Sequence, residues 1–277
     1  MGSQKEKTVT VIILNYINYE ETYVCVQSVL GQNYKNYNIV IVENGSNNCS
    51  YQYLKKRLAS YEKVTVLRAG KNYGFAKGNN IGICFAKRKF GSEYILLLNS
   101  DTMMEDCDYI RKMVEADTRG IGVIGSKIIN SDRKESYGMY RYVTFPATLV
   151  YYLRIICKYK KHPLYQVLVE RLLEKCKGVT VAEGSALLLT PDYFRYYGYL
   201  DPRTFLYCEE ELLYIRCKRK GLDMMVNDRA LLFHKYGQSS QFPQTYDNEV
   251  FYKRLISSYK FVVWESIKMY IQLFGKI

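Results

Sequence analysis

The sequence predicts an α/β fold, a mostly parallel sheet flanked by helices, and three observations carry that reading. Short β-branched or aliphatic runs alternate with helical patterns from residue 8 to residue 129, with short connections between them, the signature of strand–helix–strand units. The run 94–98 (YILLL) is apolar without alternation and stops at Asn99-Ser100-Asp101, as expected of a parallel strand buried on both faces. The chain is 48% hydrophobic over 277 residues, enough for a substantial core.

Each element follows in order. Residues 8–16 (TVTVIILNY) form a first strand and 20–32 a helix. Residues 38–46 (NIVIVENGS) are a second strand ending in a turn, 50–60 a helix and 63–70 a third strand. A Gly-rich loop, 72–82 (NYGFAKGNNIG), runs into a helix before the apolar strand, and 120–129 (GIGVIGSKII) is a further strand. The pattern then changes: 139–177 carries two helical stripes around a Lys-rich middle and interrupts the sheet, which resumes at 178–190 (GVTVAEGSALLLT). Residues 206–221 form a helix with an acidic start, a basic end and a glycine stop, the order the helix dipole favours. Residues 223–235 read as a final pair of strands. In the tail from residue 246, Leu255, Tyr259, Val262, Val263, Ile267, Tyr270, Leu273 and Phe274 recur at three-and-four spacing, which makes one amphipathic helix.

Charge and composition narrow the function classes. Forty Lys and Arg against 27 Asp and Glu give +13, a balance that favours an anionic partner such as nucleotide phosphates, nucleic acid or an anionic membrane surface. The segment 139–177 holds eight basic and two acidic residues and so carries +6 of that total. The eight cysteines are scattered singly and only two histidines are present, which argues against a zinc cluster. No apolar run approaches a membrane span and the N-terminus has no signal-peptide core, so a reducing cytoplasm is the expected setting.

Candidate site residues fall where strands end. Ligands of open α/β sheets sit outside the carboxyl ends of the strands, and Asn15-Tyr16, Glu43-Asn44-Gly45-Ser46 and Asn99-Ser100-Asp101 all fall there. Asp101 is either a ligand-holding carboxylate or a turn or helix-cap residue. The Gly-rich loop lacks both the P-loop Lys-Ser/Thr and the dinucleotide Gly-x-Gly-x-x-Gly.

Seven segments in order, VIILNYINYEET, VIVENGSNN, NYGFAKGNNIG, LLLNSD, GSALLLT, FLYCEEELLYIRCKRKG and LFHKYGQSS, together resemble glycosyltransferase family 2, whose GT-A fold has a Rossmann-like sheet. Within it the chain is most similar to the bacterial rhamnosyltransferase-like branch, which often has Asn-Ser-Asp where others have Asp-x-Asp. The resemblance covers about residues 8–240. It implies a GT-A domain over 1–240, with a nucleotide-binding half at 1–130, a helical basic insertion at 139–177 and an acceptor half at 178–240, followed by a C-terminal helical tail at 241–277.

By the same resemblance, Asp101 holds a divalent metal, Mg²⁺ or Mn²⁺, that bridges the diphosphate of a nucleotide sugar, and His234 approaches that metal or the diphosphate. Asn99 sits where a ribose contact is made, with Ser100 beside it. Glu43 occupies the position of the acidic residue that contacts the pyrimidine, usually Asp, and Asn15 and Asn44 flank that strand end. Asn72, Gly74 and Asn79 match the next loop, Asn79 standing where many relatives carry Arg. Glu210 aligns with the catalytic base, again usually Asp, and Glu209 lies beside it. Glu211 reads as ordinary charge at a helix start. Gly184 and Ser185, after Glu183, form the acceptor wall.

The implied activity is inverting transfer from a donor such as dTDP-rhamnose or a UDP-hexose to a glycan or polyprenyl-diphosphate-linked acceptor, in bacterial cell-surface polysaccharide synthesis. The implied setting is the cytoplasm at the inner face of the cell membrane. Basic Arg154, Lys158, Lys160 and Lys161 raise a peripheral membrane contact, and the tail helix raises a homodimer. The alternative, a basic nucleotide- or nucleic-acid-binding protein without transferase activity, rests on charge and 29 tyrosines alone, with no RNA-binding motif beside them. Nucleic acid is therefore not an expected partner. A nucleotide-sugar pyrophosphorylase would open with a Gly-rich, Arg/Lys-containing triphosphate loop, which residues 13–22 lack.

Overall fold

The computed structural model describes residues 6–235 and 249–275. The expected end of the LFHKYGQSS segment beyond Lys235, and the start of the tail at residues 246–248, lie outside the described residues. The chain runs β1 (Val9–Asn15), α1 (Tyr19–Leu30), β2 (Tyr37–Glu43), α2 (Ser50–Arg57), β3 (Val64–Arg68), α3 (Phe75–Phe90) and β4 (Tyr94–Asn99). β1 pairs in parallel with β2 on one side and β4 on the other, and β2 pairs in parallel with β3. β1 is thus the topological switch point, where a crevice opens beyond the strand ends. Glycines seat α3 over this sheet: a Cβ at Gly78 would meet Leu14 at 2.6 Å, and one at Gly82 would meet Ile12 at 2.7 Å.

After β4 come β5 (Thr102–Met103), α4 (Tyr109–Glu115), β6 (Ile121–Asn130), β7 (Glu135–Ser136), β8 (Met139–Arg141), α5 (Ala147–Tyr159), α6 (Pro163–Glu174) and β9 (Val179–Val181). They are followed by β10 (Ala186–Leu189), α7 (Pro191–Tyr196), α8 (Glu209–Arg219), β11 (Asp223–His234) and α9 (Glu249–Phe274). β10 runs antiparallel to both β4 and β6, so the sheet is parallel in its first four strands, as expected, and mixed as a whole. The run 178–190 is two strands rather than one: β9 pairs with β8 in a separate small sheet, and β10 returns to the main one. Residues 223–235 are one strand instead of a pair. β11 keeps its parallel partner β6 throughout but shifts register between Asn227 and Leu231. Such irregularities bend a strand, and the end of β11 reaches β5, with His234 opposite Thr102.

Two apolar layers sandwich the sheet, one formed with α1 and α4, the other with α3, α7 and α8. A third cluster joins the 139–177 segment to α8 and α9 through Val143, Ile155, Leu212, Tyr259 and Val262. Each large side chain buried there contributes about 1.5–3 kcal/mol. The tail pattern therefore forms a helix that packs on the rest of the chain, while its last turn exposes Tyr270, Leu273 and Phe274. All eight cysteines are free.

Candidate active site

A cavity of about 790 Å³ opens where β1, β2 and β4 end, and it is closed on the far side by α8, β8, α5 and α9. The Asn44–Gly74 corner shows how the sequence builds its floor. Asn44 Nδ2 donates to Asn72 Oδ1 (3.1 Å) and to the Gly74 carbonyl (3.3 Å), while its Oδ1 accepts from the Tyr73 N–H (3.2 Å). Gly74, at φ +81°, would place a Cβ 2.2 Å from the Phe205 carbonyl oxygen, a close approach only glycine permits. The neighbouring Phe75 N–H donates to that same carbonyl at 2.7 Å. The loop after β3 is thereby fastened to the segment leading into α8, so both halves of the chain share one wall.

At the end of β4 the turn Asn99-Ser100-Asp101 is closed by the Thr102 hydroxyl, which donates to the Asn99 carbonyl at 2.7 Å. The next element is β5 instead of a helix, so Asp101 caps nothing. Its carboxylate is buried, and Oδ1 lies 3.2 Å from His234 Nε2. The other imidazole nitrogen, Nδ1, is 3.5 Å from Glu183 Oε1. Burial opposes charge on this imidazole, but contacts with Asp101 and Glu183 outweigh it and raise the His234 pKa to about 9.

Across the cavity, Tyr207 and Cys208 adopt left-handed backbone (φ +75° and +72°), unusual for non-glycine residues. They turn the chain into α8 so that Glu209, Glu210 and Glu211 all line the cavity. Glu210 sits against Gly184, where a Cβ would fall 2.2 Å from Oε1. Burial, then the negative charge of Glu211, raises the Glu210 pKa to about 7, with Arg141 pulling the other way. Burial and the Glu210 charge raise Glu209 to about 8. Glu211 is more than ordinary helix-start charge: it is buried, and Oε1 forms an ion pair with Arg141 Nε of β8 at 3.1 Å.

The structure brings Asn44, Asn72, Gly74, Asn99, Ser100, Gly184, Ser185, Glu209, Glu210 and His234 together on the cavity wall. Ser185 Oγ is buried there with no hydrogen-bond partner among the described residues. Four expected residues sit behind the wall. Asp101 is held under His234, and Asn15 accepts from the Thr22 hydroxyl at 2.8 Å, leaving a buried Nδ2 without a partner among the described residues. Glu43 is buried with Oε1 accepting the Ser46 N–H at 2.7 Å, beside a smaller cavity of about 240 Å³ lined by Gly45, Ser46, Arg68, Ala69 and Gly70. Asn79 is buried inside α3 and donates to the Phe75 carbonyl. A surface group, Asp106, Cys107 and Asp108, also clusters possible metal ligands, but Lys112 occupies the Asp106 carboxylate.

Sequence reasoning did not reach Arg141, Tyr151, Phe251, Arg254 and Tyr259, which complete the far wall from β8, α5 and α9. Nor did it pair Glu183 with His234. These residues lie on elements remote in sequence, and no local pattern marks which of their faces turns inward.

Against known proteins, the profile of "Glycosyl transferase family 2" matches residues 10–170. The chain belongs to that family. It is 25% identical over 205 residues to the dTDP-rhamnosyl transferase RfbF of Shigella flexneri, covering 73% of this chain and 61% of that protein. It is 24% identical over 217 residues to the low-salt glycan biosynthesis hexosyltransferase Agl10 of Haloferax volcanii, covering 78% and 63%. The chain thus spans about three fifths of the length of these relatives. Among solved structures, a mannosyltransferase from Pyrobaculum calidifontis, in complex with GDP-Man and Mn²⁺, superposes with a TM-score of 0.58 at 10% identity, over 99% of this chain and 76% of that one. That likeness concerns the fold, which is GT-A as the sequence led us to expect.

Proposed function

We propose that this chain is an inverting hexosyltransferase. It moves a sugar from a nucleoside-diphosphate sugar, dTDP-rhamnose or a UDP-hexose, to a hydroxyl of a glycan or polyprenyl-diphosphate-linked acceptor in bacterial cell-surface polysaccharide synthesis. The observation that carries this is one cavity with two chemically distinct ends. The buried Asp101–His234–Glu183 group lies at the strand ends, and a carboxylate with a pKa near neutrality, Glu210, faces the cavity from α8. The names of the relatives, a dTDP-rhamnosyl transferase and a hexosyltransferase, support the donor class.

In this reading the acceptor oxygen attacks the anomeric carbon from the side opposite the diphosphate. The C1–O bond to phosphate breaks, the nucleoside diphosphate departs, and Glu210 takes the acceptor's hydroxyl proton. A base whose pKa matches the working pH is the effective one, worth about 10²–10⁴ in rate, or roughly 3–5 kcal/mol. Gly184, by having no side chain, leaves room for the Glu210 carboxylate. Ser185 Oγ, a buried polar atom on the cavity wall without a partner among the described residues, offers a hydroxyl to ligand oxygens.

Asp101 and His234 also fit a resident Mg²⁺ or Mn²⁺. A buried carboxylate oxygen and an imidazole nitrogen converge, and such ions take carboxylate and imidazole ligands together with substrate phosphates. Bound there, the ion would offset the negative charge on the departing diphosphate. A nucleotide-sugar donor and eight free cysteines support a cytoplasmic setting.

Isothermal calorimetry of nucleoside diphosphates with Mn²⁺ tests the metal end. Asp101→Ala is expected to abolish metal-stimulated binding while leaving the circular dichroism spectrum unchanged. Undiminished Mn²⁺-stimulated binding in that variant would remove Asp101 from the role.

A further inference from the structure

Helices α5 and α6 form a hairpin that turns apolar rows to solvent. On α6, Val169 and Leu173 are buried, yet Tyr165 (65% exposed), Leu168 (56%) and Leu172 (44%) face outward at three-and-four spacing. That spacing puts them on one row. On α5, Leu149 (39%) and Leu153 (43%) repeat the arrangement one turn apart, while Ile155 packs inward. Apolar rows of this length left in water mark an interaction surface.

The charges bordering those rows identify the partner. Lys160 caps α5, Lys161 follows it, Arg171 lies on α6 and Lys175 caps α6, and all four are exposed. Of the two acids on the hairpin, Glu170 is occupied by Arg154 at 2.7 Å, leaving Glu174 as the acid not so engaged. The sequence-level expectation put Arg154 and Lys158 among the membrane-facing cations; the structure turns Arg154 to Glu170 and brings Lys158 within 3.9 Å of the same carboxylate. The border is cationic all the same. A two-fold contact with a second copy would set this cationic rim against itself, whereas an anionic surface with an apolar interior satisfies both features.

We infer that the α5–α6 hairpin is a peripheral membrane-docking surface, seating Tyr165, Leu168 and Leu172 at the acyl boundary with Lys160, Lys161, Arg171 and Lys175 among anionic lipid headgroups. No described helix is long and apolar enough to cross a membrane, so attachment is shallow and reversible, as for amphipathic interfacial helices. Tyr151 on α5 lines the cavity, between Leu149 and Leu153, so one helix carries both the outward row and a residue of the cavity wall.

Vesicle co-sedimentation tests this without any substrate, so its outcome is independent of the transferase reading. The full chain is expected to bind phosphatidylglycerol-containing vesicles at least about 10²-fold more tightly than pure phosphatidylcholine vesicles, with binding lost as salt rises. The triple variant Lys160→Glu, Lys161→Glu, Lys175→Glu is expected to lose that preference. Leu168→Ser with Leu172→Ser is expected to weaken binding to anionic vesicles about tenfold or more with the helical spectrum intact. Equal partition into both vesicle types overturns the inference. So does a sedimentation-velocity dimer that the leucine variant dissolves while vesicle binding is absent, since a second copy then covers the rows.

Discussion

At the scale of single residues, the acidic triplet is the most informative feature. Three consecutive glutamates at a helix start could be ordinary dipole-complementing charge, and sequence spacing separates them by 100° each. The structure instead wraps the cavity around the first turn of α8, so all three line it, and of the three it is Glu211 that forms an ion pair with Arg141. Burial raises all three above an ordinary 4.5, and the two that Arg141 does not pair with, Glu209 and Glu210, reach about 8 and about 7. Both groups hold a proton more tightly folded than unfolded. Their contribution to stability is therefore complete below about pH 4.5 and is lost as pH rises through about 7–8. Glu209→Gln removes the larger shift, so it should raise the melting temperature by at least about 3 °C more at pH 8 than at pH 5. Thermal scans at the two pH values check this, and an equal shift at both would mean that Glu209 is not held protonated.

At the scale of elements, the parallel β1–β4 half was legible because strands buried on both faces write continuous apolar runs bounded by turn residues. Asp101 was legible as a strand-end carboxylate for the same reason. The later strands were legible as strands but not in their division and pairing, because β10 and β11 owe their placement to long-range pairing. The register shift that carries His234 to β5 leaves no local signal, so one strand read as two. Gly184 shows what an element boundary can do. It follows β9, precedes β10, and its missing side chain is the space that the Glu210 carboxylate fills. Gly184→Ala should therefore lower turnover at least about tenfold, near 1.4 kcal/mol in the barrier, with nucleotide affinity nearly unchanged. Steady-state kinetics beside calorimetry separate the two effects. Unchanged turnover would show that Glu210 has slack the structure does not show.

At the scale of the whole molecule, the insertion and the last helix are parts of the site as much as appendages to it. β8 supplies Arg141, α5 supplies Tyr151 and α9 supplies Phe251 and Arg254 to one cavity, and Glu265 ties α9 to Arg203 (2.9 Å) and Arg219 (2.6 Å). Amphipathic periodicity announced these helices, yet periodicity states that a face is buried without stating against what, which is why their contribution to the cavity had to come from the structure. The account as a whole stands on Glu210 acting as the base in a cavity that also binds a nucleotide sugar. Its most direct test is release of nucleoside diphosphate from a panel of dTDP-, UDP- and GDP-sugars with Mn²⁺, by the unaltered chain and by Glu210→Gln, with nucleotide affinity measured alongside. The prediction is turnover of at least one donor by the unaltered chain, a loss of at least about 10²-fold in Glu210→Gln, and equal nucleotide affinity in both. Turnover by Glu210→Gln at the unaltered rate would contradict the account, as would the absence of turnover with every donor.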